Sequence, residues 1–316
     1  MPRVKNQHYV PQFYLKGFSA DGKNVFVFDK VAKKSFKTGV ANIGSEQLFY
    51  ELPPGPSGSD DSQVVEKAFS VLEAGYSNAV QELLSEVELR GRFTPGPSER
   101  NLGVAHFLAM QFCRTREFRD THARMLQQLG NVIANKHEFA RQHMAAQGEV
   151  IEVEPPLKPA TGEMVPLQHA DFIFNGSFVE RVMPVLLGHI WLIAQNDTSQ
   201  PLFTSDAPVI LYPHVSHLLY GGSGFASRGV EILFPLSSRY VLVLRERSCF
   251  ATLGGATDGT LLRLRLESVA FYNGFQICES YRQIYSSEDR FDQVRELIEQ
   301  FPAICDRERP RFSVLG

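Results

Sequence analysis

Ser98 to Asp120 reads SERNLGVAHFLAMQFCRTREFRD. Wound at about 3.6 residues per turn, Leu102, Val104, Ala105, Phe107, Leu108, Ala109, Met110, Phe112 and Cys113 leave no polar face between Val104 and Cys113. A helix that is apolar all round is a buried helix. The spacing therefore predicts that the segment from about Glu99 to Phe118 is the central element around which the chain packs. Ser98, directly after Pro97, is placed to cap its start. The helical pattern continues, with or without a kink, to about Met144. Gln111 and Arg114 interrupt the apolar run, and Phe107, Gln111, Arg114 and Phe118 share one stripe. A buried Gln must find hydrogen bonds. A buried Arg must find an anion or a set of carbonyls. Either it closes a structural pair with a carboxylate, or it faces a carboxylate- or phosphate-bearing ligand.

Toward the N-terminus, Asn6 to Ser19 (NQHYVPQFYLKGFS) sets His8, Gln12, Tyr14 and Lys16 among Tyr9, Phe13, Leu15 and Phe18. A frayed tail has no use for so many aromatics. The pattern predicts an ordered, packed helix from His8 to Phe18, with Pro11 in its first turn and Gly17 at its exit. If the helix starts instead at Pro11, His8 lies just outside its N-terminus. NVFVFDK and KSFKTG read as two strands joined by KVAK, EQLFYEL as a third extended piece, and PPGPSGSDDS as a loop. From Asp61 to Arg90 the three-to-four spacing of Val64, Val65, Ala68, Leu72, Val80 and Leu84 predicts a helix.

Beyond about Met144, AAQGEVIEVEPPLKPATGEMVPLQ reads as a long connection with room for a hairpin around KPATGEM, followed by a helix over Phe178–Leu187. HIWLIAQND, PLFTSDAPVILYP, VEILFPLSS and RYVLVLRER are rich in β-branched and aromatic residues and predict a mainly antiparallel sheet of about four strands. A helix from about Leu262 to Arg282, a short strand RQIYSS and a helix from about Glu288 to Phe301 complete the pattern. This order predicts an α+β fold in one domain: an N-terminal β/helix part over 1–60, a helical part over 61–188 and a sheet-and-helix part over 189–316.

Among the 316 residues, 32 Lys and Arg stand against 35 Asp and Glu, a net charge of −3, which argues against nonspecific nucleic-acid binding. The four cysteines, Cys113, Cys249, Cys278 and Cys305, form no CxxC pair. No apolar leader core and no run approaching a membrane span is visible, so the expectation is a soluble, cytoplasmic protein. His214 and His217 lie three apart in a glycine-rich loop without a third ligand at helical spacing, and YGGSGFASRG lacks the setting of a phosphate loop. No metal and no cofactor is expected. Oligomeric state has no signature in the sequence.

Two further polar groups stand in apolar surroundings. In PLFTSDAPVIL, Asp206 precedes Ala207-Pro208, which holds the chain out of helix. It reads as a turn carboxylate capping nearby N–H groups or as a reactive group at a strand end, with Thr204 and Ser205 adding hydroxyls. No Gly-x-Ser-x-Gly surrounds Ser205. In FYNGFQICESYRQIYSS, Asn273, Gln276 and Glu279 are spaced by three, with Arg282 one step on; a solvated face with a Glu279–Arg282 pair is the simpler reading.

Taken together, QHYVPQFYLKGFS, GSEQLFYEL, MQFCRT, LFTSDAPVIL, ILFPLSSRYVLVL and NGFQICESYRQIYSS resemble the family called domain of unknown function 4238, over nearly the whole chain. The resemblance implies a bacterial family domain with no activity to carry over. It places His8, Pro11, Gln12, Gln111, Arg114, Thr204, Ser205, Asp206, Pro208, Pro235 and Asn273 in the family pattern. Ala207 stands where the family's common form has Asn.

The functional expectation is a polar pocket. In an enzyme acting on a phosphate or glycosidic centre of a nucleotide or nucleic acid, His8 would be the acid/base, and Asp206 would orient it or act as base. Arg114 would hold an anionic group, and Gln12, Gln111, Thr204, Ser205 and Asn273 would position the ligand. The rivals are a non-catalytic module for an anionic ligand or a partner, and a purely structural network in which Arg114 and Asp206 neutralise each other.

Overall fold

The computed structural model describes residues 3–53, 62–147, 162, 164–215, 224–251 and 257–309. Most of the loop expected over PPGPSGSDDS, the hairpin expected around KPATGEM, and His217 lie outside these residues.

The chain opens with strand β1 (Asn6–His8), a short helix α1 (Gln12–Leu15) and a 3-10 turn over Lys16–Phe18. Strands β2 (Asn24–Asp29), β3 (Lys34–Gly39) and β4 (Ser45–Gln47) follow. The expected helix over His8–Phe18 is thus shorter. Pro11 is extended and starts it, while His8 belongs to a ribbon in which it opposes Ser45. The segment is packed as expected, with Tyr9, Val10, Tyr14, Leu15 and Phe18 all buried.

The helical part comprises α2 (Val64–Arg90), α3 (Glu99–Cys113), α4 (Arg116–Ala146), α5 (Met164–Asn175) and α6 (Phe178–Gly188). Gly91 ends α2 in the left-handed conformation at φ 64°, its N–H on the Val87 carbonyl, a conformation glycine adopts without a Cβ clash. Ser98 caps α3 by accepting from the Asn101 N–H. Val104, Ala105, Phe107, Leu108, Ala109, Met110 and Cys113 are buried, so α3 is the central helix its composition predicts. The α2 face carrying Phe69, Tyr76, Ala79 and Leu83 packs on it. At the crossing, a Cβ on Gly103 would come 2.9 Å from the Ala79 Cβ. The Phe107 ring touches Phe13, Tyr76 and Phe234, which ties α3 to the N-terminal segment, to α2 and to the sheet behind it.

The helix from Glu99 does not run on to Phe118. It ends at Cys113 and restarts at Arg116, because Thr115 Oγ1 accepts the Phe118 N–H and begins a new helix. The connecting segment contains α5, which the proline content of the preceding residues had masked in the sequence.

Strands β5 (Ile190–Gln195), β6 (Thr204–Ser205), β7 (Ile210–Pro213), β8 (Val230–Pro235) and β9 (Tyr240–Arg245), the short helix α7 (Arg247–Phe250), β10 (Thr260–Arg263), α8 (Leu266–Glu279), β11 (Gln283–Ser286) and α9 (Asp292–Gln300) complete the described order. The expected sheet of about four strands has five, in the order β10-β5-β9-β8-β7, with β10 parallel to β5 and the other pairs antiparallel. The start of the expected Leu262–Arg282 helix is instead strand: Leu261 and Leu262 pair with Ile193 and Ala194. This sheet is buried on both faces. Trp191, Ile193, Ile232 and Phe234 join the core around α3. Ile190, Leu192, Leu233 and Val243 pack with Val269 of α8. That two-sided burial is why these strands read as continuous apolar runs rather than as alternation.

A second sheet runs β3-β2-β11-β6, antiparallel throughout. PLFTSDAPVIL is therefore divided between two sheets, with Thr204–Ser205 in one and Ile210 onward in the other. β2 and β11 are more than 250 positions apart in sequence, so their pairing carries no local signal. The fold class is α+β, as expected.

Candidate functional site

The expected polar residues separate into two buried networks and one exposed group. In the first, Arg114 follows the last residue of α3 and is 1% exposed. Its Nη2 donates to the His8 carbonyl at 2.6 Å and to Glu73 Oε1 at 2.9 Å, and its guanidinium lies 4.0 Å from the centre of the Phe69 ring. Gln111 Nε2 donates to the Tyr9 carbonyl at 3.0 Å. The two residues thus hold successive carbonyls of the N-terminal segment against α3. Carbonyls at the end of α3 are used as well: Tyr50 Oη donates to that of Arg114, and His169, kept neutral at about 3 by burial, donates Nε2–H to that of Cys113. The His8 imidazole makes no hydrogen bond through its buried Nε2, and burial lowers its pKa ahead of the nearby Arg114 charge. Among the described residues, Arg114 Nε and Nη1, Gln111 Oε1, Gln7 Nε2 and Ser45 Oγ are also buried without partners.

The second network surrounds Asp206. Its carboxylate accepts the N–H groups of Tyr281, Arg282 and Gln283, each at 2.8 Å. Burial pushes this carboxyl up, against the pull of those donors and of the Lys30 charge. Ser205 Oγ donates to Gln276 Oε1, Thr204 Oγ1 bonds to Tyr14 Oη, and Asn273 bridges the Phe203 N–H and the Pro201 carbonyl. Asn273 and Gln276 are therefore buried anchors of α8 rather than members of a solvated face. Arg282 pairs with Asp29 in place of Glu279.

Gln12 is exposed and belongs to neither network. The expected Arg114–Asp206 pair does not form, since Glu73 supplies the Arg114 counter-charge. Glu73 had a sequence signal. Glu66, Phe69 and Glu73 follow one face of α2 at helical spacing, and Phe69 is core, so the two carboxylates flanking it are directed toward the same neighbours. Burial, ahead of the opposing Arg114 charge, raises Glu66 to about 7.

Beside these networks lies a pocket of about 520 Å³ between α4, the start of α5 and the chain after α8, lined by Arg116, Arg119, Asp120, Arg124, Tyr281, Arg307 and Glu308 among others. Arg116 is neutralised by Asp120 and Glu46, at 2.8 Å and 2.5 Å. Arg119 lies flat on Phe49 at 3.7 Å, donates Nη1 to the Phe49 carbonyl and leaves Nε buried and unpartnered. Burial and then the Arg116 charge push its pKa down, the mark of a cation short of compensating charge. Arg124 donates to Thr121 Oγ1, and Arg307 stacks over Tyr281. Among the described residues no carboxylate pairs with Arg119, Arg124 or Arg307. The Tyr281 Oη completes the wall by donating to Asp120 Oδ2. The run CRTREFRDTHAR shows these arginines in the sequence, but they read there as the outer face of a long helix. Tyr281 and Arg307 reach the pocket only through the tertiary fold.

None of the family-pattern residues of the two networks lines this pocket; they reach it through their neighbours. Asp206 fixes the loop that carries Tyr281, and the β1–β4 ribbon supplies Glu46 to Arg116. Among the described residues, no group of three His, Cys, Asp or Glu is placed to hold a metal, and no helix is long and apolar enough to cross a membrane.

Two outcomes follow for the networks. In a double-mutant cycle, Arg114→Met and Glu73→Gln should couple by more than about 0.5 kcal/mol, whereas Arg114→Met and Asp206→Asn should add to within about 0.5 kcal/mol; chemical denaturation reads both. For Glu66, a raised folded-state pKa means a stabilising contribution that is full below its ordinary value of 4.5 and lost as pH rises through about 7. Glu66→Gln removes that loss, so its stability relative to the parent should rise between about pH 5 and about pH 8. A difference independent of pH would exclude this titration.

No curated protein and no solved structure matches the chain. A family model does, over residues 6–290, and by that match the chain belongs to the family described as protein of unknown function (DUF4238).

Proposed function

We propose that the protein is a binding module for a phosphate-bearing small ligand of nucleotide type, seated in the arginine-lined pocket beside α4 and acting in the cytoplasm. The observation that carries this reading is Arg119: a largely buried guanidinium, held flat on Phe49, with an Nε that has no partner among the described residues, and with the nearby Asp120 and Glu46 carboxylates paired to Arg116 instead. A guanidinium fixed in this way is suited to donate to a phosphate oxygen without first losing rotamer freedom. Arg124 and Arg307 add two further positive charges on the same pocket. The net charge of −3 favours a local anion site over a polyanion track. The free thiols of Cys113, Cys278 and Cys305 accord with a reducing, cytoplasmic setting.

A catalytic version, hydrolysis or transfer at a phosphate or glycosidic centre with His8 and Asp206 as acid and base, draws less support. Three backbone N–H groups already occupy the Asp206 carboxylate. Arg114 is committed to Glu73 and the His8 carbonyl.

Inorganic pyrophosphate is the simplest probe. Calorimetric titration should show saturable binding that weakens as salt is raised. Arg119→Met should reduce affinity at least about tenfold, the scale of a lost charged hydrogen bond. Arg239→Met, which breaks an exposed pair with Asp197, should leave it unchanged. Absence of binding at millimolar pyrophosphate, or equal loss in both variants, would contradict the reading.

A further inference from the structure

A separate cavity of about 330 Å³ opens between α2, α3, α5 and α6, within the size range of small-molecule sites, about 300–1,000 Å³. Its walls include Leu72, Met110, Phe174, Phe178 and Met183, and one ring with polar edges, His106. Two phenylalanines and two thioethers make a surface suited to a flat aromatic body: rings pack edge or face, and methionine adapts its shape and makes favourable sulfur–aromatic contacts.

His106 supplies direction. Its Nδ1 lies 2.7 Å from Tyr76 Oη. Among the described residues that hydroxyl has no other acceptor, so the arrangement that uses both groups has Tyr76 donating to Nδ1. The ring proton then sits on Nε2, which has no hydrogen-bond partner among the described residues. Burial lowers the His106 pKa, keeping the ring neutral at pH 7. A neutral N–H on an apolar wall asks for a neutral acceptor. Glu180, also on the lining, disfavours a carboxylate.

The rim is formed in part by Ser177, a non-glycine residue at φ 51°. Such backbone is strained for a residue with a Cβ and is concentrated at ligand sites.

We infer that this cavity is a second binding site, for a small neutral aromatic molecule whose carbonyl oxygen accepts a hydrogen bond from His106 Nε2. It is independent of the arginine-lined pocket.

Acetophenone and ethylbenzene test it, because they share a ring and differ in the carbonyl. With the full chain labelled at its methionine methyls, acetophenone should shift the Met110 and Met183 signals saturably and leave those of Met125 and Met144, on α4, in place. Ethylbenzene should bind about three- to tenfold more weakly, the scale of one neutral hydrogen bond. His106→Leu should remove that difference, and His106→Gln, which retains an N–H donor, should restore part of it. Unmoved Met110 and Met183 signals at the solubility limit of acetophenone would overturn the proposal. So would equal affinity of the parent protein for the two compounds, a comparison that needs no variant to fold.

Discussion

The structure depends on how it accommodates one guanidinium. Arg114 is 1% exposed at the end of the buried central helix α3. A cation so placed costs several kcal/mol unless it is paired and hydrogen-bonded. The chain meets this with Glu73 from α2, the His8 carbonyl from β1 and the Phe69 ring. Those three partners belong to two elements, α2 and the N-terminal segment, which the Gln63 side chain also joins by bonding the Val4 N–H and carbonyl. Breaking the helix at Arg114–Thr115 also turns α4 away, and the arginines of its first turns then line a pocket instead of extending the stripe of α3. One electrostatic requirement thus seats the N-terminal segment, and the Thr115 cap directly after it starts the arginine-bearing helix.

Asp206 solves the corresponding problem for an anion. A carboxylate with three backbone N–H donors is well served without a cation in contact, and its donors are consecutive residues of the loop that carries Tyr281. The two charged groups whose sequence settings were most suggestive are therefore holding the scaffold, each with its own set of partners. The residues with uncommitted charge are those that look ordinary in the sequence. This division is physically reasonable: the Asp206 carboxylate is filled by three donors, and the unused Nε and Nη1 of Arg114 are enclosed in the core, out of a ligand's reach.

Much of the fold was legible because it rests on local pattern. The all-apolar run in α3, the three-to-four spacing of α2, and the continuous apolar strands β5, β8 and β9 identified their elements directly. What escaped depends on contacts distant in sequence. β10 reads as the first turn of α8 until its pairing with β5 is known, and Thr204–Ser205 reads as part of one long strand until β11 is seen beside it. In the site, the sequence revealed that Arg114 must have a partner but not which one. Proximity of Asp206 in the motif pattern suggested it; the i, i+7 pair Glu66 and Glu73, on the helix that packs against α3, was the better signal. Arg119 could not be told from a solvated arginine without knowing that Phe49 lies under it.

The central claim is that the Arg114 guanidinium seats the N-terminal segment on α3. Amide hydrogen exchange compared between the parent protein and Arg114→Met tests it most directly. The account predicts that amides of residues 6–18 lose protection selectively, while those of β8 and β9 keep theirs. Unchanged protection over residues 6–18, or an equal loss throughout the chain, would contradict it.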